Sequence, residues 1–403
     1  LFQRAFFLLR FEDGGIVSPM SSAVETAFEQ QFGRPPVFVS KAPGRIEFIG
    51  NHTDYNGGEV LGAAVDRFLR VAVAPREDSK VQFASEGNPE VVAFADAQSA
   101  LDRASGWVKY PLGVLALLAR EGIQPQDGFD FFVTSEIPAG AGLSSSAAFE
   151  LASSIAFEAL AGKELDRLER VRLCRRAENE VVGVPCGILD QGVSGFGEAG
   201  RLVHIDCSSE TIETVEGPEH TRLWIFESGK KHNLVDSMYA ERNRECCEAF
   251  DLLKKRYQRI QFLVDVTPEE LMAAQGDLPE KVFLRARHII EEHLRVQESV
   301  RLLAKGDLKG VGELLCASHW SSSRYFENSI EELDTLVELL SASNGVYGAR
   351  LTGGGFGGAV MALCTESFSD EDAKAVADQY AAKYDHDPRF RGMAIAEGVG
   401  RVL

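Results

Sequence analysis

The stretch KAPGRIEFIGNHTDYNGG, residues 41–58, decides the fold of this 403-residue chain. A strand enters a Pro-Gly turn, Arg45 follows, and five consecutive side chains that can form hydrogen bonds come next: Asn51, His52, Thr53, Asp54 and Tyr55. Such a patch suits a polyhydroxylated ligand, whose hydroxyl groups need donors and acceptors in fixed positions. A turn cluster that satisfies only its own backbone is the alternative that the composition leaves open.

A second glycine-rich segment, PAGAGLSSSAA at residues 138–148, predicts a phosphate-binding turn. A strand, a glycine-rich turn, hydroxyl residues and a helix follow one another, so backbone N–H groups at the helix start can point at an anion. The pattern GxxxxGK[ST] is absent, which excludes a Walker-type site. The predicted ATP-binding residues are Gly140, Ala141, Gly142, Leu143, Ser144, Ser145 and Ser146.

The third segment, LTGGGFGGAV at residues 351–360, lies between two apolar runs that read as strands. Ordering so many glycines is entropically costly, so packing alone explains them poorly. Close approach of the backbone to a loop or a ligand is the better interpretation. The glycines concerned are Gly353, Gly354, Gly355, Gly357 and Gly358.

Asp190 stands in the apolar, glycine-flanked run GVPCGILDQGVSGFG, residues 183–197. A carboxylate in such a setting must be paired, hydrogen-bonded or functional. Kinases that activate a substrate hydroxyl place an acceptor Asp in a comparable position. A satisfied structural Asp is the alternative that one residue cannot exclude.

Strand-like and helix-like segments alternate along the chain, which predicts a two-domain α+β enzyme. Strands are expected at 129–135, 202–206 and 222–227, and helices at 107–120, 144–161, 165–182, 236–259 and 280–304. The boundary is placed in the polar stretch SSETIETVEGPEH, which gives an N-terminal domain over 20–215 and a C-terminal domain over 216–403. Residues 1–19 precede the first Met and are interpreted as an upstream or non-native extension.

The formal net charge of −19 argues against nucleic acid or an anionic membrane as the main partner. No apolar run approaches the ~20 residues that a transmembrane helix needs. The seven cysteines show no CxxC pair and no zinc spacing, which is typical of reduced thiols in a cytoplasmic protein.

Taken together, the segments resemble the GHMP kinase family and, within it, the galactokinases. Eight motifs occur in the family's order: APGRIEFIGNHTDYNGG, GWVKY, PAGAGLSSSAA, AENEVVGVPCGILDQ, VHIDC, KKHNLVDSMYAERNREC, RARH and GVYGARLTGGGFGGAV. The resemblance implies a two-domain GHMP kinase fold with the active site in the interdomain cleft. It also implies ATP- and Mg²⁺-dependent phosphorylation of the C1 hydroxyl of a galactose-like sugar, by a monomer or weak dimer.

The resemblance further implies a role for each motif residue. Asp190 would take the proton from the C1 hydroxyl or orient that hydroxyl. Arg45 would lie against Asp190, keep it ionised and stabilise charge on the transferring phosphoryl group. Ser146 and Glu178 would hold Mg²⁺, with Glu180 as a rival for the Glu position. The sugar would contact Asn51, His52, Thr53, Asp54 and Tyr239, and the 353–358 glycines would support the phosphate loop.

The chain departs from the galactokinase pattern GRxNLIGEHxDY at two positions, because Glu47 replaces the Asn and Asn51 replaces the Glu. That Glu is understood to bind the sugar's 6-hydroxyl, and a neutral replacement weakens such a bond from about 1.5–3 kcal/mol to about 1. Galactose is nevertheless the first hypothesis, because Arg45, His52, Asp54, Asp190 and Tyr239 are retained. Galacturonate or L-arabinose is the second, because Asn51 removes the repulsion of a carboxylate at C6 and the need for a group at C6. Arg324 stands where relatives carry an acidic run. It would also favour an anionic sugar if its loop reaches the cleft, and sequence drift on a surface loop is the alternative. A non-catalytic sugar and ATP sensor is the third hypothesis, which the intact Ser146-Ala147 pair disfavours.

Overall fold

A computed structural model describes residues 21–403 of the chain, except residues 104, 139–141, 185, 231–234 and 385. The interpretation of residues 1–19 therefore lies outside the described residues, as do Gly140 and Ala141 of the predicted phosphate turn.

The described residues form helices and mainly antiparallel strands, which confirms the α+β prediction. The helices are α1 (Ser21–Phe32), α2 (Ala97–Arg103), α3 (Lys109–Arg120), α4 (Ser145–Ala161), α5 (Arg167–Ala177), α6 (Leu189–Phe196), α7 (Val235–Arg256), α8 (Pro268–Ala273), α9 (Glu280–Leu303), α10 (Leu308–Ser321), α11 (Glu331–Ser341) and α12 (Asp370–Tyr384). The strands are β1 (Phe38–Ile49), β2 (Glu59–Pro75), β3 (Val81–Ser85), β4 (Asn88–Phe94), β5 (Phe129–Ser135), β6 (Arg201–Asp206), β7 (Thr211–Glu216), β8 (Thr221–Glu227), β9 (Val346–Thr352), β10 (Ala359–Thr365), β11 (Arg389–Met393) and β12 (Gly400–Arg401).

The chain divides into two compact units whose segments alternate in the sequence. Unit 1 contains the described residues of 21–45, 64–197 and 397–403, and unit 2 contains those of 46–63 and 198–396. Strands β1 and β2 each begin in one unit and end in the other. A single domain boundary between 215 and 216 stays a prediction, because compactness and independent folding are different properties.

Unit 1 is built on a sheet with strand order β12-β1-β2-β5-β3-β4. The β3–β5 pair is parallel, whereas β5 pairs with β2 in antiparallel fashion. Aromatic side chains fill the space between this sheet and α4, because Phe131 of β5 lies 6.1 Å from Phe149 and 5.8 Å from Phe157 between ring centroids. This packing fixes the position of the helix that follows the predicted phosphate turn.

Local sequence signals explain the helix ends beside the candidate site. Helix α4 stops at Gly162, which adopts the left-handed conformation that glycine tolerates without a Cβ clash. Helix α5 begins after Asp166, whose side chain accepts hydrogen bonds from the backbone N–H groups of Leu168 and Glu169. Helix α5 ends in a π-helical turn, Glu178–Val182.

Unit 2 contains a four-stranded antiparallel sheet with order β11-β8-β10-β9. The buried core on this sheet combines Trp224 and Phe226 of β8 with apolar residues of α11 and α12. A second core joins α7, α8 and α9. The first residues of β2 pair with β6, and β6 pairs with β7. No helix in the described part of the chain is long and apolar enough to cross a membrane.

Candidate functional site

Arg45 and Asp190 form an ion pair in unit 1. The Arg45 Nε donates to Asp190 Oδ1 at 2.8 Å, and Nη2 lies 2.6 Å from the same oxygen. Only 8% of the Arg45 side chain is exposed, whereas 24% of the Asp190 side chain is. The arginine therefore orients a carboxylate that can still reach a ligand.

The turn before α4 supplies further contacts to this ion pair. Arg45 donates from Nη1 to Gly142 O at 2.7 Å, and its backbone N–H donates to Leu143 O at 3.0 Å. The Ser144 hydroxyl donates to Asp190 Oδ2. Ser144 was predicted to contact ATP phosphates, and its bond to Asp190 is a contact that the sequence did not indicate.

Ser145 and Ser146 begin α4, and both side chains are half-buried. Their backbone N–H groups belong to the first turn of a helix, where such groups have no partner within the helix and can bind an anion. Gly142 precedes them with φ 72°, in the left-handed region that favours glycine. The described part of the predicted phosphate turn thus ends at the start of a helix, as expected.

Glu178 lies beside this helix start, almost fully buried at 5% exposure. Its carboxylate accepts hydrogen bonds from the Ser146 hydroxyl and, at Oε2, from Gln191 Nε2 at 2.7 Å. The Cys186 thiol lies 3.4 Å from the same oxygen. Burial and the nearby charge of Asp190 raise the pKa of Glu178. A cation at this carboxylate would offset both effects.

Glu180, the rival of Glu178, occupies a different environment. Its carboxylate is exposed and pairs with Arg120 and Arg176, both at 3.1 Å. Bonds from Arg176 and Arg120 lower the pKa of Glu180. Its charge is therefore already compensated on the protein surface.

Glu150 and Gln191 are buried polar residues that the sequence analysis missed. Gln191 Nε2 donates both to Glu150 Oε2 at 2.9 Å and to Glu178 Oε2 at 2.7 Å. Burial, with the charges of Glu178 and Asp190, raises the pKa of Glu150 well above its ordinary value. A signal was present in the sequence, because Gln191 follows Asp190 directly and Glu150 lies one helical turn after Ser146.

Asn51, in unit 2, is 1% exposed, and its side-chain amide forms hydrogen bonds only with protein groups. Nδ2 donates to Glu47 Oε1 at 3.0 Å and to Gly353 O at 2.8 Å. Oδ1 accepts from Asn328 Nδ2 at 2.8 Å and from Ser322 Oγ at 3.4 Å. An amide has two donor hydrogens and two acceptor lone pairs, so all four positions are occupied.

Both ring nitrogens of His52 are also hydrogen-bonded to protein groups. Its Nε2 lies 3.2 Å from Gly354 O, which can only accept, so this nitrogen carries the proton and Nδ1 accepts the Tyr55 hydroxyl at 2.9 Å. Its ring contacts those of Tyr239 and Phe326, with centroid distances of 4.9 and 4.6 Å. Burial lowers the pKa of His52 to about 4, so the ring is neutral at pH 7.

The other predicted sugar-binding residues of unit 2 differ in burial. The Thr53 hydroxyl is fully buried and lies 2.8 Å from both Gly50 O and Glu59 O, which share its single hydrogen. Asp54 opens the short turn Asp54–Asn56 and is half-buried. Tyr239, on α7, is also half-buried and lies 5.8 Å from the Tyr55 ring. Thr53 therefore closes its own turn, while Asp54 and Tyr239 retain exposed surface.

The glycine-rich turn after β9 belongs to unit 2 and contacts the polar patch. Gly353 O and Gly354 O accept from Asn51 and His52. Gly355 has φ 80°, and a Cβ atom on it would lie 2.2 Å from Asn328 O. Any larger residue there would collide with the backbone, which explains this glycine by close backbone approach, as predicted. Support of the phosphate loop by this turn stays a prediction.

Glu292 of α9 is a second residue that the sequence analysis missed. Its Oε1 accepts from the backbone N–H groups of Gly50 and Asn51, both at 3.1 Å, and Oε2 accepts from Arg295 Nε at 2.7 Å. Burial alone would raise its pKa, but the cations Arg295 and Arg350 help to lower it to about 2. A signal existed, because Glu292 lies one helical turn after His288 of the RARH motif.

Two further observations complete the site. Arg324 is exposed, and its guanidinium lies 5.3 Å from the centre of the Trp320 ring, so a surface contact accounts for it. Within the residues that the structure describes, no three His, Cys, Asp or Glu side chains group as a metal site.

Comparison with protein families gives three matches along the chain. Residues 26–75 match the galactokinase galactose-binding signature, residues 109–198 match the N-terminal domain of GHMP kinases, and residues 299–386 match the GHMP kinase C-terminal domain. The galactokinase of Chloroflexus aurantiacus is 40% identical over 363 residues, which are 90% of this chain and 93% of that protein. The galactokinase of a Roseiflexus species is 36% identical over 93% of this chain and 96% of that protein.

Solved structures agree. The galactokinase of Lactococcus lactis, crystallised with galactose, superposes with a TM-score of 0.89 at 34% identity, covering 95% of this chain and 100% of that chain. The mevalonate kinase of Methanococcus jannaschii gives a TM-score of 0.65 at 18% identity, covering 89% of this chain and 98% of that chain, and shows likeness of fold alone. The prediction of a GHMP kinase fold is confirmed.

Proposed function

This chain belongs to the galactokinase family of GHMP kinases, and we propose that it transfers the γ-phosphoryl group of ATP to the C1 hydroxyl of α-D-galactose. The observation that carries this proposal is the arrangement in unit 1. A partly exposed carboxylate, Asp190, is oriented by Arg45 and Ser144 beside the N-terminus of α4.

The reaction needs a proton acceptor and compensation of charge. The C1 oxygen forms a bond to the γ-phosphorus, the bond from that phosphorus to the ADP oxygen breaks, and Asp190 receives the hydroxyl proton. Arg45 would stabilise the negative charge of the transferring group, and the N–H groups of Ser145 and Ser146 would bind ATP phosphates. Substitution of Asp190 is therefore expected to stop transfer without removing the binding groups.

Glu178 and Ser146 fit a magnesium ion bound together with the nucleotide. Mg²⁺ prefers oxygen ligands and takes only one or two carboxylates from the protein when phosphates supply the rest. Glu178 brings one nearly buried carboxylate with a raised pKa, and Ser146 brings the hydroxyl bonded to it. The bound ion would offset the charge that develops on the phosphates. Glu180, already paired with two arginines, is the poorer candidate.

Galactose is favoured over galacturonate because the negative charge beside position 51 is retained. The Glu47 carboxylate lies 3.0 Å from the Asn51 amide and would repel a carboxylate at C6 of a sugar bound there. On the sugar side, we propose Asp54 and Tyr239 as direct contacts. Asn51, His52 and Thr53 would instead shape the turn that carries Asp54.

A sugar panel tests the proposal. Purified protein, MgATP and each of galactose, galacturonate and L-arabinose would be assayed for ADP release, with phosphorus NMR to identify a C1 phosphate. Galactose should give the highest kcat/KM. Turnover of galacturonate or L-arabinose without turnover of galactose would overturn the substrate assignment. Binding of galactose and ATP without any ADP release would support the sensor alternative.

A cytoplasmic location and a monomeric or weakly dimeric state remain part of this proposal. All seven cysteines, which lie within the described residues, are free thiols, as expected in a reducing compartment. Cell fractionation and sedimentation velocity of the purified protein would test the two statements.

A further inference from the structure

The pair formed by Glu47 and Asn51 has one acceptor oxygen that receives no hydrogen bond from the described residues, and it belongs to Glu47. The Asn51 amide is saturated by four protein groups, so it can bind a sugar hydroxyl only by losing one of them. The Glu47 carboxylate accepts from Asn51 Nδ2 and, at 2.9 Å, from Arg350 Nη2, and both bonds end on Oε1. Within the described residues, no protein donor reaches Oε2.

An unpaired oxygen on such a carboxylate calls for a partner. Only 6% of the Glu47 side chain is exposed, and buried polar atoms are hydrogen-bonded in the great majority of cases. The exposed fraction, although small, shows that the Glu47 side chain is not sealed off by the protein. A small donor can therefore reach it, and the adjacent segment is the patch that suits a polyhydroxylated ligand.

Arg350 holds Glu47 in place independently of any ligand. Its Nη1 donates to Glu47 O at 3.2 Å and to Phe48 O at 3.3 Å, and its Nε donates to Ser318 Oγ at 3.1 Å. The arginine is fully buried. The carboxylate thus has a fixed position before a ligand arrives, which lowers the entropic cost of binding.

We infer that Glu47, and not Asn51, is the side chain of this pair that accepts a hydrogen bond from a hydroxyl group of the sugar. The inference rests on the proposed function and names a specificity residue for it. Relative to the pattern GRxNLIGEHxDY, the carboxylate and the amide have exchanged positions, and the contact of 3.0 Å keeps the two groups together.

The test compares galactose with its 2-, 3-, 4- and 6-deoxy derivatives in wild type and in Glu47→Gln. Affinities are measured by calorimetry and KM by ADP release. A hydrogen bond to a charged group is worth a factor of about 10 to 100 in affinity, so Glu47→Gln should weaken galactose binding by that factor. For the one derivative that lacks the bonded hydroxyl, wild type and variant should bind equally.

Two outcomes would overturn the inference. Glu47→Gln could leave galactose binding unchanged, or it could weaken galactose and all four derivatives by the same factor, as a purely structural residue would. Failure of the proposed function is a different result, namely that wild type itself does not phosphorylate galactose. Ser318→Ala is the control for a structural effect, because it removes one anchor of Arg350 and a hydrogen bond to Glu292 but leaves the Glu47 carboxylate, and it should weaken all five sugars alike.

A second variant covers the case in which Glu47→Gln does not fold. The double exchange Glu47→Asn with Asn51→Glu keeps one carboxylate and one amide in the pair. The affinity of this double variant for galactose should be within about threefold of that of wild type. This is a small change, because a tenfold change in affinity corresponds to about 1.4 kcal/mol. Asn51→Glu alone, which puts two carboxylates side by side, should be worse than the double exchange. A double exchange that folds but does not discriminate among the deoxy sugars would overturn the inference.

Discussion

The proposed catalytic carboxylate of unit 1, Asp190, and the polar patch of unit 2 differ in how many of their polar atoms are already hydrogen-bonded to the protein. Asp190 is oriented by Arg45 and Ser144, yet 24% of its side chain remains exposed. In the patch, the Asn51 amide and both ring nitrogens of His52 are taken up by protein groups. The first region presents a group to a ligand, while much of the second builds the turn itself.

The difference teaches that a polar residue in a motif has a limited hydrogen-bonding capacity, which the protein can use up. Arg45 and Ser144 both donate hydrogen bonds to the Asp190 carboxylate and thereby fix its orientation. In the patch, Asn51 and His52 donate to carbonyl oxygens of the glycine-rich turn. The acceptor that we propose for the ligand is therefore on a neighbouring residue, Glu47. Each of the following experiments tests one side of this comparison.

The largest effect is expected for Asp190→Asn. Asn keeps the shape of the side chain but cannot accept the C1 proton, and loss of a general base costs a factor of about 10²–10⁴ in rate. Sugar-dependent ADP release should fall by that factor, while calorimetric binding of galactose changes little. Loss of galactose binding in proportion to activity would mean that Asp190 acts as a sugar ligand, and the contrast between the two regions would fail.

A large loss of stability, rather than of chemistry, is expected for Glu292→Gln. This carboxylate is fully buried and holds the Gly50 and Asn51 N–H groups, so removing its charge takes from Arg295 its closest partner and leaves only the 3.7 Å contact with Glu291. The expected cost is about 3 kcal/mol, seen as a lower urea midpoint at pH 7. Glu298→Gln is the control, because its pair with Arg301 on the same helix is exposed and should contribute under about 0.5 kcal/mol.

The pH dependence of this effect has a defined sign. The pKa of Glu292 is lowered in the folded protein from 4.5 to about 2, so its contribution is complete above pH 4.5 and is lost as pH falls towards 2. The difference between wild type and Glu292→Gln should shrink over that interval. A difference that stays constant down to pH 3 would contradict the assignment of Glu292 as an ionised anchor.

Local patterns in the sequence predicted the elements around the phosphate turn well. The helix expected over 144–161 is α4, Ser145–Ala161, and the strand expected over 129–135 is β5, Phe129–Ser135. Small apolar residues, a glycine at the helix end and alternating strand residues are short-range signals. The helix α1 and the strands β3 and β4 were not predicted.

Long-range contacts could not be predicted. The saturation of Asn51 depends on Asn328 and Gly353, which lie 277 and 302 residues further along the chain. The alternation of the two units follows from β1 and β2 passing between them, which no local pattern reveals. The sequence named the polar residues of the patch, but only three-dimensional contacts show which of them still have a free donor or acceptor.

A comparison of Glu178→Gln with Glu180→Gln sharpens the description of unit 1. If Glu178 holds Mg²⁺ as proposed, Glu178→Gln should raise the Mg²⁺ concentration for half-maximal rate by about 10- to 100-fold. In Glu180→Gln it should stay within about twofold, because that exposed carboxylate pairs with Arg120 and Arg176 and such pairs contribute little. Calorimetry with MgADP gives a readout independent of turnover, and equal effects of both variants would contradict the assignment.

The smallest effect is expected for Ser144→Gly, which isolates the orienting hydroxyl. Ser144 has φ 50°, a conformation that glycine adopts without strain, so this variant removes the bond to Asp190 while keeping the backbone. Loss of one hydrogen bond to a carboxylate should lower kcat by about tenfold, with little change in the KM for galactose. Ser144→Ala should lose the same activity as Ser144→Gly. It should be less stable than Ser144→Gly by about 1 kcal/mol, because alanine has a Cβ atom and is disfavoured at this positive φ.

Ser154→Ala serves as the control on the same helix. It removes another buried hydroxyl that donates to a carboxylate, Glu158 Oε1 at 2.8 Å. Ser154 lies further along the helix than the residues of the predicted phosphate turn. It should lower stability and leave kcat unchanged. If Ser144→Gly instead keeps full activity, then Arg45 alone orients Asp190. The two regions would then differ only in solvent exposure. Hydrogen bonds from the protein would no longer explain why Asp190, and not a residue of the patch, acts on the ligand.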